Sequence, residues 1–384
     1  MANRPWGGIG WNRGFRTGPR SRPADLVIPH LPEAKARHRV HVLNGRVWVV
    51  NGTAINTQKT WSWTPGETSW RVENDCPSGY ASWTQQSGSF ATIAGTIVCN
   101  SSVDGVSQVG QAYVFDTVTR NWTAGPVFNP ALCPIFTTTI YSPIEDLYVG
   151  GVGTTTNNKQ MLAWNRLNGD NGFYALQPSA MTGNKWSGVA IPAADNEDRP
   201  YLLEGAGIGG SKFVGSLAGY WTNIPPFATF RFTYSAVGQY GYSNWIICGG
   251  NNGGAGETNK AGTFDSITGV WTELGVQMTI PRSVHSAESL LDGRVVIAGG
   301  LTTGAVPTAK AEIFDPGFDP ILNPLFLPGF ESFTAIADMP EPHYEAQMFS
   351  LNGYPVIVGG NTDKVRLYNP QKNTWSNSLA DPNS

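Results

Sequence analysis

The chain has 384 residues, 40% of them hydrophobic and including 17 Phe, 14 Trp and 13 Tyr, enough apolar and aromatic mass to bury a sizeable core and to exclude a disordered scaffold. Its net charge of −3, from 25 Lys and Arg against 28 Asp and Glu, offers no overall attraction to nucleic acid or to an anionic membrane. The 46 Gly and 27 Pro follow no collagen-like period and separate short β-branched or aromatic runs, and no stretch is apolar for long enough to span a membrane, so the expected class is all-β and soluble.

Residues 1–23 read as an extended arm. Residues 1–22 hold Arg4, Arg13, Arg16, Arg20 and Arg22 with no acid, interleaved with Trp6, Trp11 and Phe15, so an acidic body follows a basic arm. The arm lacks the continuous apolar stretch of a secretory signal. It has too few apolar residues to fold alone, yet exposed Trp is costly unless it meets a surface. Arg4, Trp6, Trp11, Arg13, Phe15 and Arg16 are therefore expected to dock on a partner subunit, with Trp in pockets and Arg forks on carboxylates. Nucleic acid is the competing partner, and five charges are modest for it.

From residue 38 onward one pattern recurs about every 50 residues. Apolar strands end in RVWVVNG (Asn51, Gly52), GTIVCNS (Asn100, Ser101), DLYVGG (Gly150, Gly151), YLLEGAG (Glu204, Gly205), NWIICGG (Gly249, Gly250), RVVIAGG (Gly299, Gly300) and YPVIVGG (Gly359, Gly360). A second signal lies downstream in FDTVTRNW (Asp116, Trp122), FDSITGVW (Asp265, Trp271) and YNPQKNTW (Asn369, Trp375). There an Asp or Asn side chain is expected to close a tight turn, and the Trp to fill the gap between neighbouring sheets. IFDPGFDP and AWNRLNGDNGF keep the first half only, with Phe173 standing in for Trp in the latter and Trp221 serving the repeat around 204.

Diglycine and later Trp at this period resemble the kelch repeat, over residues 38 to 376. The resemblance implies a single all-β propeller of about seven four-stranded blades, with six as the alternative, over residues 24–376, followed by a tail at 377–384. The segment ADLVIPHLP (24–32) reads as an outer strand that locks the ring onto the last blade. The strand of Trp375 fits the same role, and the sequence leaves the two alternatives open.

His38, His41, His285 and His343 precede the diglycine strands of blades one, six and seven, which become neighbours in a closed ring. Kelch-family copper radical oxidases take His and Tyr ligands from such loops, so the resemblance offers a copper site as a reading to weigh. No HxxxH spacing or accompanying carboxylate supports it, and His38 and His41 at i, i+3 of a strand point to opposite faces. The expectation is packing and hydrogen bonding, with no metal, no cofactor and no catalytic residue. The carboxylate groups Glu145 and Asp146, Asp195, Glu197 and Asp198, and Glu341 and Glu345 read as solvated loop charges. No GxSxG, P-loop or HExxH pattern occurs. Cys76, Cys99, Cys133 and Cys248 form no CxxC pair and read as buried free thiols. NNGGAGETNKAG (251–262) and TTGAVPTAKAE read as long blade loops suited to a partner, and the N-x-S/T matches at Asn51, Asn100 and Asn121 as chance.

The resulting expectation is a non-enzymatic structural and protein-binding subunit, oligomeric within a larger assembly. It is similar in architecture to propeller-bearing tail nozzle proteins of short-tailed bacteriophages, which implies a virion setting, otherwise the cytoplasm. A receptor- or glycan-binding module is the alternative, and a kelch-like copper oxidase is the third reading.

Overall fold

The computed structural model describes residues 27–50, 52, 59–77, 89–91, 95–101, 110–128, 136–142, 147–152, 162–165, 174–175, 189–191, 201–203, 210–214, 220–224, 236–241, 243–251, 256–317 and 329–377. Among them are seven four-stranded antiparallel sheets and no helix. We number them sheet 1 (residues 39–72), sheet 2 (89–128), sheet 3 (136–175), sheet 4 (189–224), sheet 5 (236–273), sheet 6 (286–336) and sheet 7 (347–376). Each is a meander in chain order, and in sheet 6 a small hairpin, Leu301–Thr302 with Val306–Pro307, stands between the second and third strands.

Second strands such as Arg46–Val50, Asn244–Cys248, Val295–Ala298 and Tyr354–Val358 are apolar at almost every position because both of their faces are covered. Val47 and Val49 share a core with Val356, Val358 and Phe349 of sheet 7, whereas Trp48 and Val50 meet Ile97 and Phe115 of sheet 2. Val295 and Ile297 face sheet 5, while Val296 and Ala298 meet Ile357 of sheet 7. The two-residue period of a strand thus sends alternate side chains to opposite neighbours. Turn chemistry sets the register: Asn44–Gly45 and Asn352–Gly353 both take positive φ, as two-residue hairpins require.

First strands lie against one another. That of sheet 1 touches those of sheets 2 and 7, that of sheet 3 touches those of sheets 2 and 4, and that of sheet 6 touches those of sheets 5 and 7.

The glycine pairs at 249/250, 299/300 and 359/360 all have positive φ, between 64° and 106°, a region closed to most side chains. A Cβ on Gly299 would overlap the His343 carbonyl, and one on Gly249 would lie 2.6 Å from the Arg282 carbonyl. Gly150 and Gly151 differ. They lie within the strand Leu147–Val152, paired with Thr139 and Thr138, and a register shift follows Gly151. Gly52 keeps a positive φ of 117° beside Ala36 and His38, while Asn51, Glu204 and Gly205 lie outside the described residues.

Third and fourth strands carry facing aromatics: Phe115 opposite Trp122, Phe213 opposite Trp221, Phe264 opposite Trp271, Phe314 opposite Phe333, and Tyr368 opposite Trp375. In sheet 1 the rings of Trp63 and Trp70 are 6.2 Å apart. The Trp122 indole donates to the Asn74 carbonyl following sheet 1 (2.8 Å), and that of Trp375 to the Ala337 carbonyl following sheet 6 (2.9 Å), so both tie one sheet to the preceding one. Trp375 is buried. Trp122 and Trp271 are only half-buried. The carboxylates of Asp116 and Asp265 and the amide oxygen of Asn369 accept backbone N–H bonds two residues on, closing the turns.

The segment before sheet 1 lies beside sheet 7. Ile28 N–H donates to the Asn377 carbonyl (2.8 Å) and Leu31 N–H to the Asp363 carbonyl (2.8 Å), and both side chains join the core between sheets 7 and 1. The outermost strand of sheet 7 is Thr374–Ser376, with the N-terminal segment bonded just past its end.

Replacing Gly299 by Ala is expected to cost about 2–4 kcal/mol in denaturant unfolding, from left-handed strain, the carbonyl overlap and a weakened inter-sheet bond. Gly304→Ala, also at positive φ but with a Cβ that would meet only Val306 Cγ2, at 4.0 Å, should cost about 1–2 kcal/mol.

Candidate functional site at the joints between sheets

Each of three joints begins with a short segment ahead of a first strand: Leu31-Pro32-Glu33-Ala34-Lys35, Met278-Thr279-Ile280-Pro281-Arg282 and Met339-Pro340-Glu341-Pro342-His343. The pairings Arg39 with Val50, Ser286 with Ala298, and Gln347 with Val358 put Lys35, Arg282 and His343 at one equivalent position. All three side chains are buried, with at most 1% exposure.

Backbone bonds repeat from joint to joint. Between sheets 5 and 6, Met278 N–H donates to the Asn259 carbonyl (2.9 Å), Arg282 N–H to the Thr258 carbonyl (3.2 Å), and Gly250 N–H to the Arg282 carbonyl (2.8 Å). Between sheets 6 and 7, Met339 N–H reaches the Ala309 carbonyl (2.9 Å) and Gly300 N–H the His343 carbonyl (2.7 Å). Between sheets 7 and 1, Leu31 N–H reaches Asp363 (2.8 Å), Lys35 N–H reaches Thr362 (3.3 Å) and Gly360 N–H reaches Lys35 (2.6 Å). The last sheet therefore grips the segment before the first sheet by the bonds that join consecutive sheets.

Side chains differ where the backbone does not. Arg282 is a wholly buried fork, donating to the carbonyls of Gly299 (3.2 Å) and Lys310 (2.7 Å) and pairing with Glu312 at 2.7 Å. His343 places Nδ1 2.6 Å from the Gly359 carbonyl and Nε2 3.1 Å from Glu341, whose other oxygen meets Arg366 at 2.8 Å. Burial pulls the His343 pKa down, and the Gly359 carbonyl and Glu341 pull it the other way. Lys35 donates to the Lys59 carbonyl at 2.5 Å and stands 4.2 Å from the ring centre of Trp61, the counterpart of Glu312. Burial lowers its pKa to about 7.

The four histidines fall into three positions and are not brought together. His343 is equivalent to Arg282. His38 and His285 share a second position, and each sets its Cε1 2.6 Å from where a Cβ on the first glycine of the preceding sheet, Gly359 or Gly249, would lie. Burial pushes His38 down to about 3 and His285 well below the usual range. Neither ring nitrogen of His38 makes a well-formed hydrogen bond, the Val358 carbonyl offering only a weak one; His285 Nε2 lies 3.9 Å from the Cys248 sulfur. His41, also held near 3 by burial, occupies a third position, on the first strand opposite Trp48. Among the described residues no three of His, Cys, Asp or Glu gather in a metal-binding group. Cys76 and Cys248 are buried free thiols, and burial raises the Cys248 pKa.

Two features escaped the sequence reading. Thr258-Asn259-Lys260, Thr308-Ala309-Lys310 and Thr362-Asp363-Lys364 are one motif, in which the Thr hydroxyl accepts the Lys N–H at 3.1–3.2 Å. It fixes the carbonyls that receive the joint bonds, and Thr258 and Thr308 also close the loops 251–257 and 301–307 onto Gly250 and Gly300. The second feature is a rung in left-handed backbone: Val284, Glu345 and Arg37 have φ of 48°, 57° and 55°. Glu345 N–H donates to Val284, and Arg37 N–H to Glu345, each at 2.9 Å, with an Arg37–Glu345 ion pair at 2.6 Å. Beside these joints residues 303–307 are exposed throughout. Arg4, Trp6, Trp11, Arg13, Phe15 and Arg16 lie outside the described residues, as does Phe173.

No family model matches this sequence, and no curated protein matches it. Among solved structures, one titled "Structure of YjhT" is similar at a TM-score of 0.54 and 13% identity, over 91% of this chain and 99% of that one. The fold is propeller-like. At that identity the similarity carries no activity or ligand with it.

Arg282→Met should cost about 3–5 kcal/mol in equilibrium unfolding, since it strands Glu312 in the core. The double variant Arg282→Met/Glu312→Leu is expected to lose less than this single variant, because both charges then leave together.

Proposed function

We propose that the chain is a closed ring of about seven kelch-like blades acting as a non-enzymatic, protein-binding structural subunit of a larger assembly, with a bacteriophage tail as its setting. The observation that carries this reading is the shared bonding of the joints. Gly360 meets Lys35 as Gly250 meets Arg282, so sheet 1 takes the place that follows sheet 7. Among the described residues, buried Arg282, Glu312, His343 and Lys35 are taken up in hydrogen bonds and contacts at the joints. A rigid ring presenting loops such as 301–307 suits docking more than turnover. In this reading the arm supplies the second contact, through Trp6, Trp11 and its arginines.

Electron microscopy of the purified chain tests the ring, and co-assembly with particles from its natural source tests the role. Trp6→Ala/Trp11→Ala should lower incorporation about tenfold or more and leave the melting temperature nearly unchanged. Normal assembly by a chain lacking residues 1–22, or its failure to fold, would overturn the role given to the arm. Specific binding on a glycan array without any co-assembly would favour the receptor-binding alternative.

A further inference from the structure

Three joints share a backbone design, and only one of them is crossed by no direct chain connection. Sheet 5 leads into sheet 6 through residues 274–285, and sheet 6 into sheet 7 through residues 337–346. Sheet 7 meets sheet 1 solely by non-covalent contact, since sheet 1 is built wholly of the first four strands and sheet 7 wholly of the last four. That seam rests on the bonds of Ile28, His30, Leu31, Lys35, Arg37 and Gly360, on the Arg37–Glu345 pair and on a shared apolar core.

Its buried basic groups also differ in what faces them. Arg282 has Glu312 at 2.7 Å, and His343 has Glu341 at 3.1 Å. At the same position Lys35 faces the Trp61 ring and a carbonyl, which accommodate an ammonium but do not neutralise it. Glu33 on its own segment and Asp75, just past sheet 1, act on it from farther off, opposed by Lys59, which is itself paired with Asp75 at 2.7 Å. His38 is buried between Lys35 and Arg39, both of which oppose its protonation. From sheet 7 the charges beside the segment are Glu345, tied to Arg37, Asp363, tied to Lys364, and Arg366, tied to Glu341. His30 of the segment accepts the Val365 N–H at Nδ1 (3.2 Å), and burial, then Arg366 and Lys364, lower its pKa.

We propose that the seam between sheets 7 and 1 is an acid-weakened latch, which opens ahead of the other joints as Lys35 and His38 take up protons. Opening the seam hydrates both groups and returns them to ordinary basicity. Lys35 is held near 7 when buried and is about 10.4 when free. Across that window the open form binds more protons, so closure strengthens as pH rises from about 7 to 10 and its full penalty is present below 7. His38, held near 3 against about 6.5 when free, weakens closure progressively from pH 6.5 down to 3. His285 bears a similar load between sheets 5 and 6. There the Arg282–Glu312 pair and the direct chain connection oppose separate opening.

Hydrogen exchange on the full chain at pH 9, 7 and 5, corrected for intrinsic rates, tests this. Protection at Leu31, Lys35 and Gly360 should fall about tenfold or more from pH 9 to 5, while Gly250 and Gly300 change by less than about threefold. In Lys35→Met the fall between pH 9 and 7 should disappear, and in His38→Gln the fall between 7 and 5 should shrink. Equal protection of the seam at all three pH values would overturn the latch. So would parallel loosening of Gly250 and Gly300, or an unchanged pH response in a folded Lys35→Met chain. Should that variant fail to fold, the wild-type comparison of seam with Gly250 decides.

Discussion

Among the described residues the joints depend on one backbone hydrogen bond made three times: the N–H of the second glycine of a pair, given to a carbonyl of the segment that leads into the following sheet. To aim that N–H outward the chain must leave β geometry immediately after a buried strand and hold two residues at positive φ. Only glycine does so without Cβ strain. The first glycine lets the next segment approach to van der Waals contact, and the second delivers the bond. An alanine scan of either would report the same joint, although only one of the two makes the bond.

The carbonyl that accepts this bond is supplied by a residue whose side chain is free to vary, which explains how Arg, His and Lys occupy one position. Each must still satisfy its own polar head in a dry setting. Arg282 does so with a carboxylate and two carbonyls, His343 with a carbonyl and a shared carboxylate, and Lys35 with one carbonyl and a π-face. The partner residue changes in step, being Glu312 in sheet 6 and Trp61 in sheet 1, so the position and its partner vary as a pair. Conformational specificity comes from the backbone bond, and the side chains tune how strongly each joint resists separation.

Most of the architecture was legible in the sequence, because glycine pairs and Trp are letters that recur. The four-stranded sheets follow from the apolar runs ending near 51, 100, 150, 204, 249, 299 and 359, and the turns from Asp116, Asp265 and Asn369. Trp63 and Trp70 also carried the seven-residue aromatic spacing of Phe115 and Trp122, a signal present but unread. Phe333 was hidden, since the residues between it and Phe314 lengthen the gap. The joints were hidden for a chemical reason. Lys35, Arg282 and His343 share no letter, and grouping the histidines by type placed His38, His41, His285 and His343 together although strand register separates them. Register is a pairing property, and a single chain read along its length shows composition before it shows pairing.

The left-handed rung at Val284, Glu345 and Arg37 shows how far backbone geometry overrides side-chain preference here. Val is among the residues least suited to φ of 48°, since its branched Cβ crowds the following carbonyl. Its carbonyl nevertheless receives the Glu345 N–H, and Glu345 in turn receives Arg37, so abandoning the conformation at one residue would unseat its neighbour. At the seam the same geometry is backed by the Arg37–Glu345 ion pair, which no counterpart at Val284 provides. All three residues bear left-handed strain, and the added electrostatic support sits at the seam, the joint that no direct chain connection crosses. That placement follows from what each joint must withstand: a connected joint is reformed by its own short linker, whereas the seam depends on its contacts alone.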